Sequence, residues 1–228
     1  GYSEQNQMKI FLDTANIAAI KLYNDMGLVD GITTNPSLLA KEGGDPQKTM
    51  EEIVRIVKGD VSLEVVSTET SGMLDEGRRL RKYGNNVVIK CPMTAEGLKA
   101  CRTLTKEGIP VNVTLVFSVN QAILAAKAGA KYVSPFIGRL DDNGQDGIHL
   151  IKEMREVFKN YAFSTQILVA SVRHTMHVVE AAKIGADVVT LPPDVLGKML
   201  KHTLTDVGLK NFLADWEKLK KENPSIRI

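Results

Sequence analysis

In "NVVIKCPMT" (86–94), Val87, Val88 and Ile89 read as a buried strand, and Lys90 follows them directly before Cys91-Pro92. Placing an ammonium at the end of an apolar strand is expensive, so the position asks for a reason. Side chains alternate along a strand, so Lys90 shares a face with Val88 and Asn86. The same period pairs Ser62 with Glu64, Asn112 with Thr114, and Tyr132 with Ser134 and Phe136. Asp13 ends the first such run on the face of Phe11. Each set carries a polar group near the C-terminal half of its run.

A desolvated lysine shifts toward its neutral form, and the neutral amine is a nucleophile that adds to a ketone. The resulting protonated Schiff base withdraws electrons from the adjacent carbon–carbon bond. That chemistry calls for no metal, but it does need an acid/base to move protons. Glu64, acting through a water positioned by Thr114, suits this task. Asp13 suits proton exchange with a hydroxyl beside the bond being broken. Plainer readings stay open: Lys90 could be half of an ion pair with Glu64 or Asp13, or could snorkel to the rim. Thr114 and Ser134, each taken alone, are ordinary strand residues.

Farther along, "SPFIGRLDD" (134–142) and "VASVRH" (169–174) put Arg139, Ser171 and Arg173 just past two strand-like runs. Two guanidinium forks and a hydroxyl on neighbouring loops could grip a phosphate. Alternatively, Arg139 pairs with Asp141 or Asp142 at the surface.

The elements that must position these groups are legible. Strand-like runs occur at 9–14, 29–35, 61–66, 86–91, 111–117, 131–137, 165–171 and 187–192. Amphipathic stretches separate them. Over 44–58, Met50, Ile53, Val54 and Val57 share one face, and Asp45 before Pro46 suits an N-cap. Gly129 and Gly185 sit where helix C-caps belong. This alternation implies right-handed βαβ units and a parallel sheet. Eight units favour an α/β fold closed as a (β/α)8 barrel, in one domain, over a doubly wound sheet. The absence of GxGxxG after the first strand points the same way. Residues 205–221 predict an extra C-terminal helix with Leu209, Phe212, Leu213, Trp216 and Leu219 on one stripe. It should pack on the barrel or on another subunit.

Composition limits the alternatives. The 228 residues are 43% hydrophobic and 25% charged, and 29 basic against 27 acidic residues leave a net charge of +2. No field is strong enough to suggest nucleic acid or a membrane surface as partner. Only two cysteines occur, Cys91 and Cys101, without a CxxC or a zinc-like cluster. A reducing, cytoplasmic setting is expected. No apolar run reaches the roughly 18 residues of a membrane span. The polar start, residues 1–7, is expected to be a leader or cloning remnant outside the fold, which then covers 8–228.

"FLDTAN" (11–16), "GITTNPSLL" (31–39), "LEVVST" (63–68), "VIKCPMT" (88–94), "NVTLVFS" (112–118), "YVSPFIGRLDD" (132–142) and "QILVASVR" (166–173) together resemble the transaldolases. The likeness is to the short subfamily that also contains the fructose-6-phosphate aldolases, and it covers residues 8–216. It implies a class I enzyme that moves a dihydroxyacetone unit from sedoheptulose 7-phosphate to glyceraldehyde 3-phosphate in the pentose phosphate pathway, without a cofactor. Carried over by position, Lys90 matches the Schiff-base lysine and Asp13 the proton-shuttling aspartate. Glu64 and Thr114 match the pair that holds the catalytic water. Asn35 and Ser134 match groups that hold substrate hydroxyls, with Thr33 and Asn112 as supporting neighbours. Arg139, Ser171 and Arg173 match the phosphate grip. A homo-oligomer, pentamer or decamer, is implied, with the C-terminal helix reaching a neighbour. The free aldolases tend to carry glutamine at Glu64 and tyrosine at Phe136, so both positions favour transfer over simple cleavage. The alternatives are an aldolase-type enzyme and a non-catalytic sugar-phosphate binder.

Overall fold

The β-rich runs form eight strands that pair parallel, each with the next, and close when β8 pairs with β1. They are β1 (Lys9–Asp13), β2 (Gly31–Thr33), β3 (Asp60–Glu64), β4 (Val87–Pro92), β5 (Val111–Val116), β6 (Tyr132–Pro135), β7 (Gln166–Val169) and β8 (Val188–Leu191). The computed structural model describes residues 7–228; Gly1–Asn6, most of the expected leader, lie outside the described residues. Between and after the strands lie α1 (Ile17–Asp25), α2 (Pro36–Glu42), α3 (Pro46–Ile56), α4 (Thr70–Arg81), α5 (Ala95–Lys106) and α6 (Val119–Lys127). They continue as α7 (Ile137–Asp142), α8 (Gly147–Lys159), α9 (Thr175–Ile184), α10 (Pro193–Leu200) and α11 (Thr203–Glu222). The architecture is a single (β/α)8 barrel with an added C-terminal helix.

Local chemistry accounts for the element ends. Asp45 caps α3 by accepting from the Gln47 N–H, with Pro46 in the first turn. Ile53 and Val54 of that helix are buried, as the apolar stripe requires. Gly185 ends α9 with a left-handed backbone (φ 87°) that a Cβ would oppose. Gly97 has a different role. Thr94 caps α5 by accepting from the Gly97 N–H, and a Cβ on Gly97 would lie 1.8 Å from the Pro92 carbonyl oxygen. The absent side chain lets α5 press directly on the end of β4, two residues beyond Lys90.

Two cores result. The outer one lies between sheet and helices and contains Leu12, Ile32, Ile89, Val113, Ile151 and Val189 among many others. The inner one is Phe11, Val88, Tyr132, Leu168 and Val188, with Phe11 and Tyr132 meeting edge to face at 5.8 Å. This apolar floor blocks the N-terminal half of the barrel. Above it the inward side chains turn polar: Thr33, Ser62, Lys90, Asn112, Ser134 and Thr190, all buried.

Several strands are shorter than the apolar runs suggest. The strands end at Thr33, Pro135 and Val169; beyond them Thr34 still donates to the Ser62 carbonyl and Phe136 bridges Ala170, and Asn35, Phe136, Ala170 and Ser171 line the cavity. Asn86 also departs from the expected strand. It precedes β4 and donates to the carbonyls of Val54, Val57 and Gly59, tying the lower loops together. Most of the stripe on α11 is uncovered: Leu209, Leu213 and Leu219 are exposed and Phe212 is 73% exposed, while Trp216 is half-buried.

Adding a methyl at Gly97 should force α5 away from the Pro92 carbonyl. We expect Gly97→Ala to lose about 1–3 kcal/mol of stability in urea unfolding, the usual range for overpacking. An unchanged midpoint would contradict the close contact.

Candidate active site

The C-terminal ends of the strands surround a cavity of about 300 Å³. Asp13, Thr33, Asn35, Lys90, Ser134, Phe136, Arg139, Ser171 and Arg173 all line it, joined by Ala170, Val172, Thr190 and Pro192. Nine of the residues singled out from the sequence therefore come together in one place. Their elements explain it. β1, β2, β4 and β6 deliver Asp13, Thr33, Lys90 and Ser134 on the inward period, while the segments after β2, β6 and β7, with the first turn of α7 among them, supply Asn35, Phe136, Arg139, Ser171 and Arg173.

Lys90 is only 5% exposed. Its Nζ donates to the Thr34 carbonyl oxygen at 3.3 Å and lies 3.8 Å from Glu64 Oε1. Burial raises the pKa of Asp13 above its ordinary value, against the opposing pull of the Lys90 charge and a hydrogen bond from Thr33. Burial also raises Glu64; Lys90 opposes this, while the negative charge of Asp13 adds to it. Two carboxyls and one amine thus share a site where water is scarce, and the carboxyls are biased toward holding protons.

A braced polar layer carries these groups. Thr33 Oγ1 donates to Asp13 Oδ1 at 2.9 Å and meets Thr190 Oγ1 at 2.6 Å. Ser134 Oγ donates to Asn112 Oδ1 at 2.7 Å, and Asn112 Nδ2 donates to Ser62 Oγ at 3.2 Å. Asn112 does not line the cavity; it is fully buried and braces Ser134 from below. Glu64 reaches Lys90 from the side and lines two adjoining grooves rather than the cavity itself. Thr114 is buried behind the same wall, and its Oγ1 has no hydrogen-bond partner within the protein. The strand bulges there. The β5–β6 register shifts between Val113 and Val116, and Leu115 takes a left-handed backbone (φ 63°). Asn35 uses its side-chain oxygen to cap α2 through the Leu38 N–H, and its amide NH2 takes no part in that cap.

At the outer end, Arg139 lies 5.0 Å over the Phe136 ring. The surface pairing considered for Arg139 goes elsewhere. Asp142 binds Arg173 Nη2 at 2.8 Å, and Asp141 binds His177. The Arg173–Asp142 pair is exposed on both sides, so it is weak and open to exchange for another anion. Ser171 has a left-handed backbone (φ 58°) that turns the loop back toward the cavity. Burial holds the Cys91 thiol up at about 12 and Cys101 at about 11, so neither is a thiolate at neutral pH.

The family follows from comparison. Residues 10–223 match the model of the transaldolase/fructose-6-phosphate aldolase family. The chain belongs to that family. A probable transaldolase of Nitrosopumilus maritimus is 73% identical over 97% of this chain and 100% of its own length. A probable transaldolase of Methanococcus vannielii is 60% identical over 92% of this chain and 98% of its own length. Among solved structures, a mandelate oxidase mutant (TM-score 0.53, 15% identity) aligns with 82% of this chain, and the chain spans 64% of that protein. An inosine 5' monophosphate dehydrogenase from Legionella pneumophila (TM-score 0.58, 14% identity) aligns over 82% of this chain and 58% of its own length. These two share the barrel alone.

Within this transaldolase-family site, sequence reasoning missed Thr190. Its signal was present: in "DVVTLP" the threonine follows Val188 by two residues, so it shares the inward face of the eighth strand.

Asp13→Asn removes a buried ionisable group and keeps its shape. The folded state raises this pKa, so the ionised carboxyl opposes folding. The wild type should therefore match the variant best below the ordinary pKa of 3.8 and lose ground as the pH rises through the raised value. Urea melts of both proteins from acid to pH 8 measure the gap. A gap that stays constant, or that moves in favour of the wild type, would contradict the buried position.

Proposed function

We propose that this protein is a class I transaldolase that transfers a dihydroxyacetone unit from sedoheptulose 7-phosphate to glyceraldehyde 3-phosphate, in the pentose phosphate pathway. The observation that carries the reading is the buried Lys90 Nζ at the base of the cavity, with Asp13 on the wall and Glu64 at 3.8 Å. Family membership and relatives called probable transaldolases support it.

In this mechanism the Lys90 nitrogen bonds to the ketone carbon C2 of the donor, giving a carbinolamine. Water leaves and a protonated imine remains. Glu64 moves the protons for this step through a water held by the otherwise unpartnered Thr114 hydroxyl. Asp13 takes the proton of the C4 hydroxyl, and the C3–C4 bond breaks with its electrons passing into the imine. Erythrose 4-phosphate departs, leaving a three-carbon enamine on Lys90. The enamine carbon then bonds to the aldehyde carbon of glyceraldehyde 3-phosphate. Asp13 returns its proton to the new alkoxide, and hydrolysis releases fructose 6-phosphate. Ser134 and Asn35 orient the hydroxyls, braced by Asn112 and Thr33. Arg139, Ser171 and Arg173 hold the phosphate at the outer end.

Transfer rather than release follows from Phe136. It lines the cavity and has no proton to give the enamine, so the three-carbon unit waits for an aldehyde. The exposed stripe of α11 supports assembly into a homo-oligomer, pentamer or decamer, by contact with a neighbouring subunit. The two free, buried cysteines suit a cytoplasmic setting. Among the described residues no helix is long and apolar enough to cross a membrane.

Borohydride added with fructose 6-phosphate should place a reduced dihydroxyacetone mass on the peptide containing Lys90. Label on another lysine, or no label, overturns the mechanism. Lys90→Met should abolish turnover with an unchanged circular dichroism spectrum. Fructose 6-phosphate should be consumed at a substantial rate only when erythrose 4-phosphate is present; rapid cleavage without an acceptor identifies an aldolase instead.

A further inference from the structure

We propose that His177 is a positioning residue that fixes the Ser171–Arg173 loop for phosphate, through a hydrogen bond it accepts from the Arg173 main chain. The inference rests on reading that end of the cavity as the phosphate grip.

His177 lies in the first turn of α9, outside the cavity lining, and is 4% exposed. Its Nδ1 accepts from the Arg173 N–H at 3.0 Å. An amide can only donate, so Nδ1 must carry a lone pair. The ring hydrogen is then on Nε2, which donates to Asp141 Oδ2 at 2.8 Å. The other oxygen of Asp141 accepts from the Gly147 N–H at 2.9 Å. One chain of bonds thus runs from the start of α8 through Asp141 of α7 to His177 of α9, and on to the Arg173 backbone. His174 packs against the ring, with centroids 3.8 Å apart and the planes tilted by 30°. Burial lowers the His177 pKa, which keeps the neutral tautomer at neutral pH; Asp141 opposes this, and His174 and Arg173 add to it.

The loop needs such a clamp. Ser171 adopts φ 58°, a conformation that costs a non-glycine residue about 1–2 kcal/mol. It persists only where the surroundings over-determine it. On the cavity side, the Gly138 N–H donates to the Ser171 carbonyl at 2.9 Å, and the Ile137 N–H donates to that of Ala170 at 3.1 Å. A Cβ on Gly138 would lie 2.2 Å from the Ser171 carbonyl oxygen, so this approach is as close as the backbone allows. On the far side, His177 supplies the matching restraint. Without it, the Arg173 N–H would be left without its acceptor and the guanidinium would lose its fixed origin.

Two isosteres separate the bonds of the ring. Asparagine keeps an acceptor at the Nδ1 position and loses the contact to Asp141. Glutamine keeps a donor at the Nε2 position and loses the acceptor for Arg173. We expect His177→Gln to raise KM for glyceraldehyde 3-phosphate about tenfold, the effect of stranding one buried donor. Its kcat and its KM for unphosphorylated glyceraldehyde should not change, and His177→Asn should stay near the wild type. Equal effects of the two variants, an unchanged KM in His177→Gln, or equal losses for both aldehydes would overturn the inference. Arg173→Ala is the control for the underlying reading. If it leaves the preference for phosphorylated aldehyde intact, the phosphate grip itself is wrong and the inference falls with it. Should His177→Gln fail to fold, nitrogen-15 spectra of the unaltered protein still decide. They should show neutral His177 with its hydrogen on Nε2, and a hydrogen on Nδ1 overturns the proposal.

Discussion

A single amine nitrogen, taken out of water beside two carboxyls, is the constraint on which this structure depends. Lys90 Nζ keeps one carbonyl, that of Thr34, and one carboxylate oxygen of Glu64 within reach. Asp13 lines the same cavity, and its charge and that of Glu64 work against each other. None of these groups would be tolerated in an apolar interior alone. Together they partly offset one another's desolvation, and the imbalance that remains raises both carboxyl pKa values. A site that biases carboxyls toward protons is suited to exchanging them.

The barrel below is divided to keep this arrangement rigid. Its N-terminal half is filled by Phe11, Val88, Tyr132, Leu168 and Val188, an apolar plug beneath the polar layer. Tyr132 seals the floor by donating its hydroxyl to Asp60, which also pairs with Lys131. The next layer is polar but internally bonded, from Ser134 through Asn112 to Ser62, and from Thr190 through Thr33 to Asp13. Each bond takes a polar atom that would otherwise be costly and makes it a support. Thr114 is the exception, a buried hydroxyl with no protein partner. That exception falls at a bulge in β5, where such irregularities commonly serve function.

The outer half of the cavity is built differently. Its arginines are exposed and lightly held, one over an aromatic ring and one on a surface carboxylate. Precision there comes from the backbone, through the close passage of Gly138 over the loop after β7 and through His177 behind it. Deep groups are thus fixed by packing and rim groups by main-chain bonds, the division that the proposed phosphate grip calls for.

Much of this was legible in the residues. The period of two placed Lys90, Asp13, Asn112 and Ser134 on one inward surface, because side chains alternate across a pleated strand, whereas Thr33 entered only through the family resemblance. Apolar stripes, the Asp45 cap and the Gly185 stop marked helices through local rules that hold whatever the fold. Other contacts were not legible. The Thr33–Thr190 bond spans 157 residues and exists only because β8 closes on β1. Which carboxylate meets which cation at the rim was equally hidden: Asp142 takes Arg173 and Asp141 takes His177, leaving Arg139 to Phe136. The exposed stripe on α11 could not be told from a packed one, since periodicity records that a face is apolar and not what covers it. The sequence by itself determined the elements, their inward faces and the chemistry they carry, because those follow from neighbours along the chain. Only the tertiary structure decided the partners, because ring closure and loop contacts depend on distances between residues far apart in sequence.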